Sequence, residues 1–166
     1  MLTSENLQEA FAGESQANRK YLAFAKQADK DGYAQVARLF RAAAEAETIH
    51  AHAHLRVLGG VKSTTDNLQE AIDGEEHEFK KMYPDFVAEA EKEGNKPAVF
   101  SFKNALAVEE IHHGLCTEAL NAVKSGSDLP ETRIYLCPVC GNTVKGEVPE
   151  ICPICNTPKD RFFEMK

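Results

Sequence analysis

Glutamates and histidines recur along the chain at spacings that can hold metal. Glu14 comes first, then Glu47 with His50, then Glu75 with Glu78, then Glu109 with His112. Residues i and i+3 share one face of a helix, so each Glu-x-x-His offers a carboxylate and an imidazole on the same side. The order matches a known template for carboxylate-bridged dinuclear sites. In that template two helices give one Glu each, and two more give Glu-x-x-His. Most helical glutamates are merely solvated, but the neighbours argue otherwise here. Glu14 lies among Phe11, Ala17 and Tyr21, and Glu47 among Ala43, Ala44 and Ala51. Glu75 lies among Ala71, Ile72, Phe79 and Met82, and Glu109 beside Ala105 and Leu106. An unpaired charge on an apolar stripe is costly, and no Lys or Arg recurs on these faces. Hard carboxylate oxygens with imidazole suit iron or manganese.

A second metal signal lies near the C-terminus. Cys137-Pro-Val-Cys140-Gly141 and Cys152-Pro-Ile-Cys155-Asn156 hold four of the five cysteines. Two Cys-x-x-Cys units in a short segment read as a tetrahedral thiolate site. Spacing does not separate iron from zinc. Gly141 and Asn156 tolerate the left-handed backbone that each knuckle requires.

Helices must position the first set. The first is expected to begin after the capping candidates Thr3 and Ser4 and to stop at Asp31-Gly32. The second carries Ala37, Phe40, Ala44, Glu47 and Ala51 and ends at Gly59-Gly60. Val61 to Thr65 is a connector, with Thr65 or Asp66 as the cap of the third helix. Pro84 falls inside that helix, where a kink is expected rather than an end, because Phe86, Val87 and Ala90 continue the apolar period. Glu93-Gly94-Asn95 ends it, and Pro97 suits the first turn of the fourth helix, which stops at Ser125-Gly126. Glu14 and Glu47 flank their turn at similar distances, as Glu78 and Glu109 flank theirs. Antiparallel helices then bring the ligands to one height. The expected domains are a four-helix bundle over 1–126, a polar linker over 127–133 and a four-cysteine domain over 134–166. The last is too small to bury a useful core and needs its metal. Ile134 to Leu136 and Phe162-Phe163 read as short strands.

The remaining candidates have plainer readings. Tyr21 and Tyr83 could hydrogen-bond ligand carboxylates or simply pack. His54 is read as lying outside the ligand set, and His52, His77 and His113 as exposed. Cys116 reads as a small buried core residue. A net charge of −7 without a basic stripe argues against nucleic acid. No apolar run is long enough to span a membrane. Met1 to Asn6 lacks the pattern of an export signal, and cysteines paired at metal spacing fit a reducing compartment, so a cytoplasmic protein is expected.

Taken together, certain motifs resemble rubrerythrin. They are Phe11-Ala-Gly-Glu14-Ser-Gln, Glu47-Thr-Ile-His50, Gly74-Glu-Glu-His-Glu78 with Met82-Tyr-Pro84, and Glu109-Glu-Ile-His112, followed by the two knuckles. The resemblance covers nearly the whole chain in order. It implies a mainly α fold, a ferritin-like di-iron four-helix bundle followed by a small rubredoxin-like β/knuckle domain. It implies two iron ions in the bundle, oxo- or hydroxo-bridged when oxidised, and one iron on Cys137, Cys140, Cys152 and Cys155, with zinc as a mis-metallation product. Glu47 and Glu109 resemble the bridging carboxylates, Glu14 and Glu75 terminal ones, and His112 a fixed imidazole ligand. Glu78 and His50 resemble a pair that exchange on one iron with redox state, and Tyr21 and Tyr83 resemble tyrosines around the ligands. Asn156 departs from the Gly that often follows the second knuckle.

The implied activity is reduction of hydrogen peroxide to water, with electrons from a rubredoxin or an NADH-linked reductase. The implied assembly is a homodimer, helix-swapped in some relatives. The linker from Ser125 to Arg133 is expected to be too short to fold the tail back onto its own site, which places electron transfer between chains. Two alternatives remain at this stage. One is a ferroxidase or iron-handling protein; the other is a non-enzymatic helical module with a structural zinc ribbon.

Overall fold

Long stretches rich in Ala, Glu, Lys, Gln and Leu, interrupted at Gly32, Gly59-Gly60, Gly94 and Gly126, produce helices broken at those glycines. The computed structural model describes residues 2–166. The protein is mainly helical with a small three-stranded sheet. It divides between Lys62 and Ser63 into two compact units.

The first unit is a helical hairpin of α1 (Thr3–Lys30) and α2 (Ala34–Val57). The residue flanking the start of α1 is Leu2, one position earlier than expected, and its backbone N–H donates to Glu5 Oε2 at 2.8 Å. Gly32 makes the turn at φ +84°, a conformation that costs a Cβ-bearing residue energy. Ala25 and Ala28 of α1 and Ala37, Ala44 and Ala51 of α2 are buried. Small side chains let the backbones approach closely. Asn18 Nδ2 clamps the pair by donating to Ala44 O at 2.7 Å and Thr48 Oγ1 at 2.8 Å.

The second unit contains α3 (Thr64–His77), a π-helical turn (Glu78–Met82), α4 (Tyr83–Lys92) and α5 (Lys96–Lys124). Ser63, not Thr65 or Asp66, caps α3, accepting from the Asp66 N–H at 3.1 Å. Pro84 leaves the helix running, as expected, but the distortion is a π turn rather than a simple kink. Pro84 has no N–H for the carbonyl four residues back. The Tyr83 N–H instead reaches the carbonyl of Glu78, five residues back. Such turns insert one residue and re-aim the side chains on either side. Asn95 Oδ1 caps α5 by accepting from the Ala98 N–H at 3.2 Å. Ile72, Ala90, Val108 and Leu120 form the buried core of the helices, backed by the rings of Tyr83, Phe86 and Phe102.

In the same unit β1 (Ile134–Leu136) lies between β2 (Thr143–Lys145) and β3 (Phe163–Met165), all antiparallel. The strand β2 is additional to the expected ones, and β3 begins one residue later than expected. The tail returns to α5 of its own chain, which corrects the expectation about the linker. Lys145 pairs with Glu118 of α5, and a Cβ at Gly141 would lie 3.8 Å from Val108 Cγ1. The physical reason is reach. A linker of this length extends up to roughly 30 Å, whereas the helix from His112 to Lys124 rises only roughly 18 Å. Among the described residues no helix is long and apolar enough to cross a membrane.

Candidate metal centres

The hairpin α1–α2 brings Glu14, Glu47 and His50 together, with one donor atom from each within 4.8 Å of the others. His50 Nδ1 lies 3.1 Å from Glu47 Oε2, one helical turn away. A hydrogen bond shared with Glu47 holds the Glu14 carboxyl above its ordinary range, with burial adding to it. The same bond, with help from His50, holds Glu47 below its range. Two carboxylates this close repel each other, and a cation between them would relieve that repulsion. His50 is open, with 56 % of its side chain exposed.

The second unit gathers Glu75 of α3 with Glu109 and His112 of α5, again within 4.8 Å. His112 Nδ1 lies 2.9 Å from Glu109 Oε2 and 3.9 Å from Glu75 Oε1. Burial, followed by the charge of Glu109, pushes the Glu75 carboxyl up to about 7. The donor set of two hard carboxylates and an imidazole fits iron. Glu78, the first residue of the π turn, is not one of the clustered donors. Burial and then the Glu109 charge raise its carboxyl, so it lies within that field. Burial and the charges of Glu78, Glu109 and Glu75 also raise the Tyr83 phenol. Tyr21 instead packs its ring against Phe24 and Phe40 in the hairpin.

The four cysteine sulfurs form the third group. Cys137 and Cys155 sulfurs are 3.5 Å apart, and those of Cys140 and Cys152 are 3.6 Å apart. A tetrahedron with bonds of about 2.3 Å has edges of roughly 3.8 Å, so the group fits a metal with little adjustment. The two knuckles repeat each other. Gly141 N–H donates to Cys137 O and Asn156 N–H to Cys152 O, both at 3.0 Å. Gly141 has φ +85° and Asn156 φ +61°, so Asn156 takes the expected left-handed role. Burial pushes the Cys137 thiol up, but backbone N–H groups of Cys140 and Val139 outweigh it and bring it down to about 6. Burial raises Cys140 instead.

Several residues around these groups carry no local sequence signal. Asn142 and Thr157 are buried polar residues. Asn142 Nδ2 donates to Cys152 Sγ at 3.7 Å, and Thr157 Oγ1 lies 3.0 Å from Cys155 Sγ. The only clue to them is that each closely follows a knuckle. Donors to thiolate favour the reduced metal, so T157V should lower the reduction potential of the four-cysteine iron, read by spectroelectrochemistry. An unchanged potential would show that this hydroxyl does not tune the site. His112 Nε2, the ring nitrogen facing away from the carboxylates, lies 2.9 Å from Thr143 Oγ1. His52 and His77 are exposed as expected, but His113 is half-buried, with its ring 5.3 Å from that of Phe79. Cys116 is only partly buried.

A family model described as Rubrerythrin matches residues 5–120, and one described as Rubrerythrin, rubredoxin-like domain matches residues 135–163. Rubrerythrin-2 of Clostridium acetobutylicum is 39% identical over 97% of this chain and 95% of its own length. Nigerythrin of Nitratidesulfovibrio vulgaris is 40% identical over 96% of this chain and 85% of its own. A solved structure of nigerythrin in a partially reduced state superposes with a TM-score of 0.59 at 38% identity, covering 99% of this chain and 87% of that one. The carboxylate–histidine sets and the four-cysteine group are those that a di-iron site and a rubredoxin-like site require. The chain therefore belongs to the rubrerythrin family, a family of di-iron, peroxide-reducing oxidoreductases.

Proposed function

We propose that this chain is a non-haem di-iron peroxidase that reduces hydrogen peroxide to two waters. Its electrons would come from a rubredoxin or an NADH-linked reductase by way of the four-cysteine iron. The observation that carries this reading is the docking of the four-cysteine segment on α5 at His112, which an iron store would not need. Bound iron supplies the redox equivalents. The chain would supply the ligands, in the roles the family resemblance implies: Glu47 and Glu109 as shared carboxylates, Glu14 and Glu75 as terminal ones, His112 as a fixed imidazole, and His50 and Glu78 as alternatives. The two clustered triads and the position of Glu78 in the field of Glu109 support this. Tyr83, whose phenol lies in the field of Glu78, Glu109 and Glu75, would orient those carboxylates, and Tyr21, its ring packed on Phe24 and Phe40, would be its counterpart in the hairpin.

The proposed division of labour is the di-iron region over 1–126, the linker over 127–133 and the electron-entry domain over 134–166. We place the protein in the cytoplasm as a homodimer, with exchange of helix pairs about Val61 to Thr65. Support for a partner comes from the hairpin itself. Leu39, Ile49 and Val57 are 68%, 60% and 71% exposed, too much apolar surface to leave in water along a single hairpin. A steady-state assay of iron-loaded protein with reductase, rubredoxin and NADH tests the activity. One NADH consumed per peroxide is the expected result. Peroxide left untouched while Fe(II) and oxygen are consumed would favour the ferroxidase reading.

A further inference from the structure

We propose that Thr143 is a positioning residue that ties the four-cysteine segment to the di-iron ligand His112 within one chain. The inference rests on the assignment of His112 as an iron ligand. It follows from three hydrogen-bonding positions in line. His112 turns Nδ1 towards Glu109 and Glu75, and Nε2 towards Thr143 Oγ1 at 2.9 Å. The Thr143 hydroxyl hydrogen has its own acceptor, Gly141 O at 3.2 Å. Thr143 therefore accepts at Oγ1 while donating to Gly141. When Nδ1 holds metal, Nε2 must carry the ring hydrogen, and Thr143 is its partner. A histidine ligand whose far N–H is held in this way keeps its ring plane and its tautomer.

Gly141 follows Cys140 directly in the chain. The bonded route from thiolate to imidazole is therefore one peptide unit and two hydrogen bonds long. The ion pair of Lys145 with Glu118 holds the strand on α5, where Gly141 lies close enough to Val108 that an added Cβ would just touch it. With metal at both sites, these hydrogen bonds would link a ligand of one to a ligand of the other. The residue carries no metal-binding signal of its own, and valine would match its shape without the hydroxyl.

The test compares T143V and T143S with the parent as full-length protein. Zinc-loaded samples give the first readout, which needs no turnover: the His112 Nε2–H resonance and its exchange with water. The parent and T143S should show a protected N–H, and T143V a fast-exchanging or missing one. Iron-loaded samples give the second readout, the rate at which peroxide reoxidises the four-cysteine iron. In T143V this step should slow by roughly 10–100-fold, the usual cost of losing a histidine's outer partner, while T143S stays near the parent. An unchanged N–H and an unchanged rate in T143V would overturn the proposal. So would equal losses in T143S and T143V, which would make the residue merely structural. A protected N–H lost in T143V from a protein that fails to reduce peroxide would leave Thr143 in place and sink only the peroxidase reading.

Discussion

Replacing Cys152 by serine should bleach the four-cysteine iron and abolish donor-driven turnover while leaving the helices intact. Cys152 is fully buried, and burial would raise its thiol, but backbone N–H groups of Cys155 and Ile154 outweigh that and favour the thiolate. Asn142 donates to the same sulfur. Serine offers no soft ligand, and the remaining residues around it cannot form a core. The described buried residues of this segment are only Cys137, Cys152, Asn142 and Thr157. Structural four-ligand sites contribute about 10–16 kcal/mol to folding in small metal-dependent peptides, so losing one ligand should unfold the tail. Helical circular dichroism should persist, because α1 to α5 make their own contacts. Peroxide should still oxidise a chemically reduced di-iron site once. If donor-driven turnover survived in C152S, electrons would enter by another path.

Glu109→Gln should have the second large effect, with opposite signs in the two metal states. In the metal-loaded protein it should cost iron and lower turnover by at least about two orders of magnitude, since outer partners of ligands alone are worth roughly 10–100-fold. In the metal-free protein it should stabilise the fold. Glu109 raises both Glu75 and Glu78 through its charge, and a neutral amide removes that repulsion. The pH dependence follows. Glu75 is raised in the folded state to about 7, from an ordinary value of 4.5. Its stabilising contribution is complete below about 4.5 and is lost as pH rises through about 7. Metal-free parent protein should therefore melt lower at pH 8 than at pH 5, and E109Q should show a smaller drop. Iron content and thermal melts of both forms check this. A metal-free E109Q less stable than its parent at pH 8 would contradict it.

How legible the molecule was depended on the range of each interaction. The Glu-x-x-His pairs and the Cys-x-x-Cys knuckles were readable because one helical turn or one tight turn decides where their side chains point. Helix ends were readable for the same reason, and Gly32, Gly59, Gly94 and Gly126 all take positive φ where the chain must stop. The cap of α3 lies at Ser63, two residues before Thr65, because Ser63, Thr64, Thr65 and Asp66 all suit the role and only tertiary context selects among them. The π turn was half readable. Pro84 announced a distortion, but nothing local specified an added residue starting at Glu78. The bond between His112 and Thr143 spans 31 residues and was invisible, as was the return of the tail onto α5. Linker length sets what is reachable, and the contacts of Lys145 with Glu118 and of Thr143 with His112 set what is reached.

The most direct test of the central claim is a single-turnover experiment. Fully reduced, iron-loaded protein is mixed with hydrogen peroxide or with oxygen, and the visible band of the oxidised four-cysteine iron is followed by stopped flow. Peroxide should restore the band far faster than oxygen, with two electrons consumed per peroxide. Oxygen acting as fast as peroxide, or a band that peroxide never restores, would contradict the peroxidase with a connected thiolate relay.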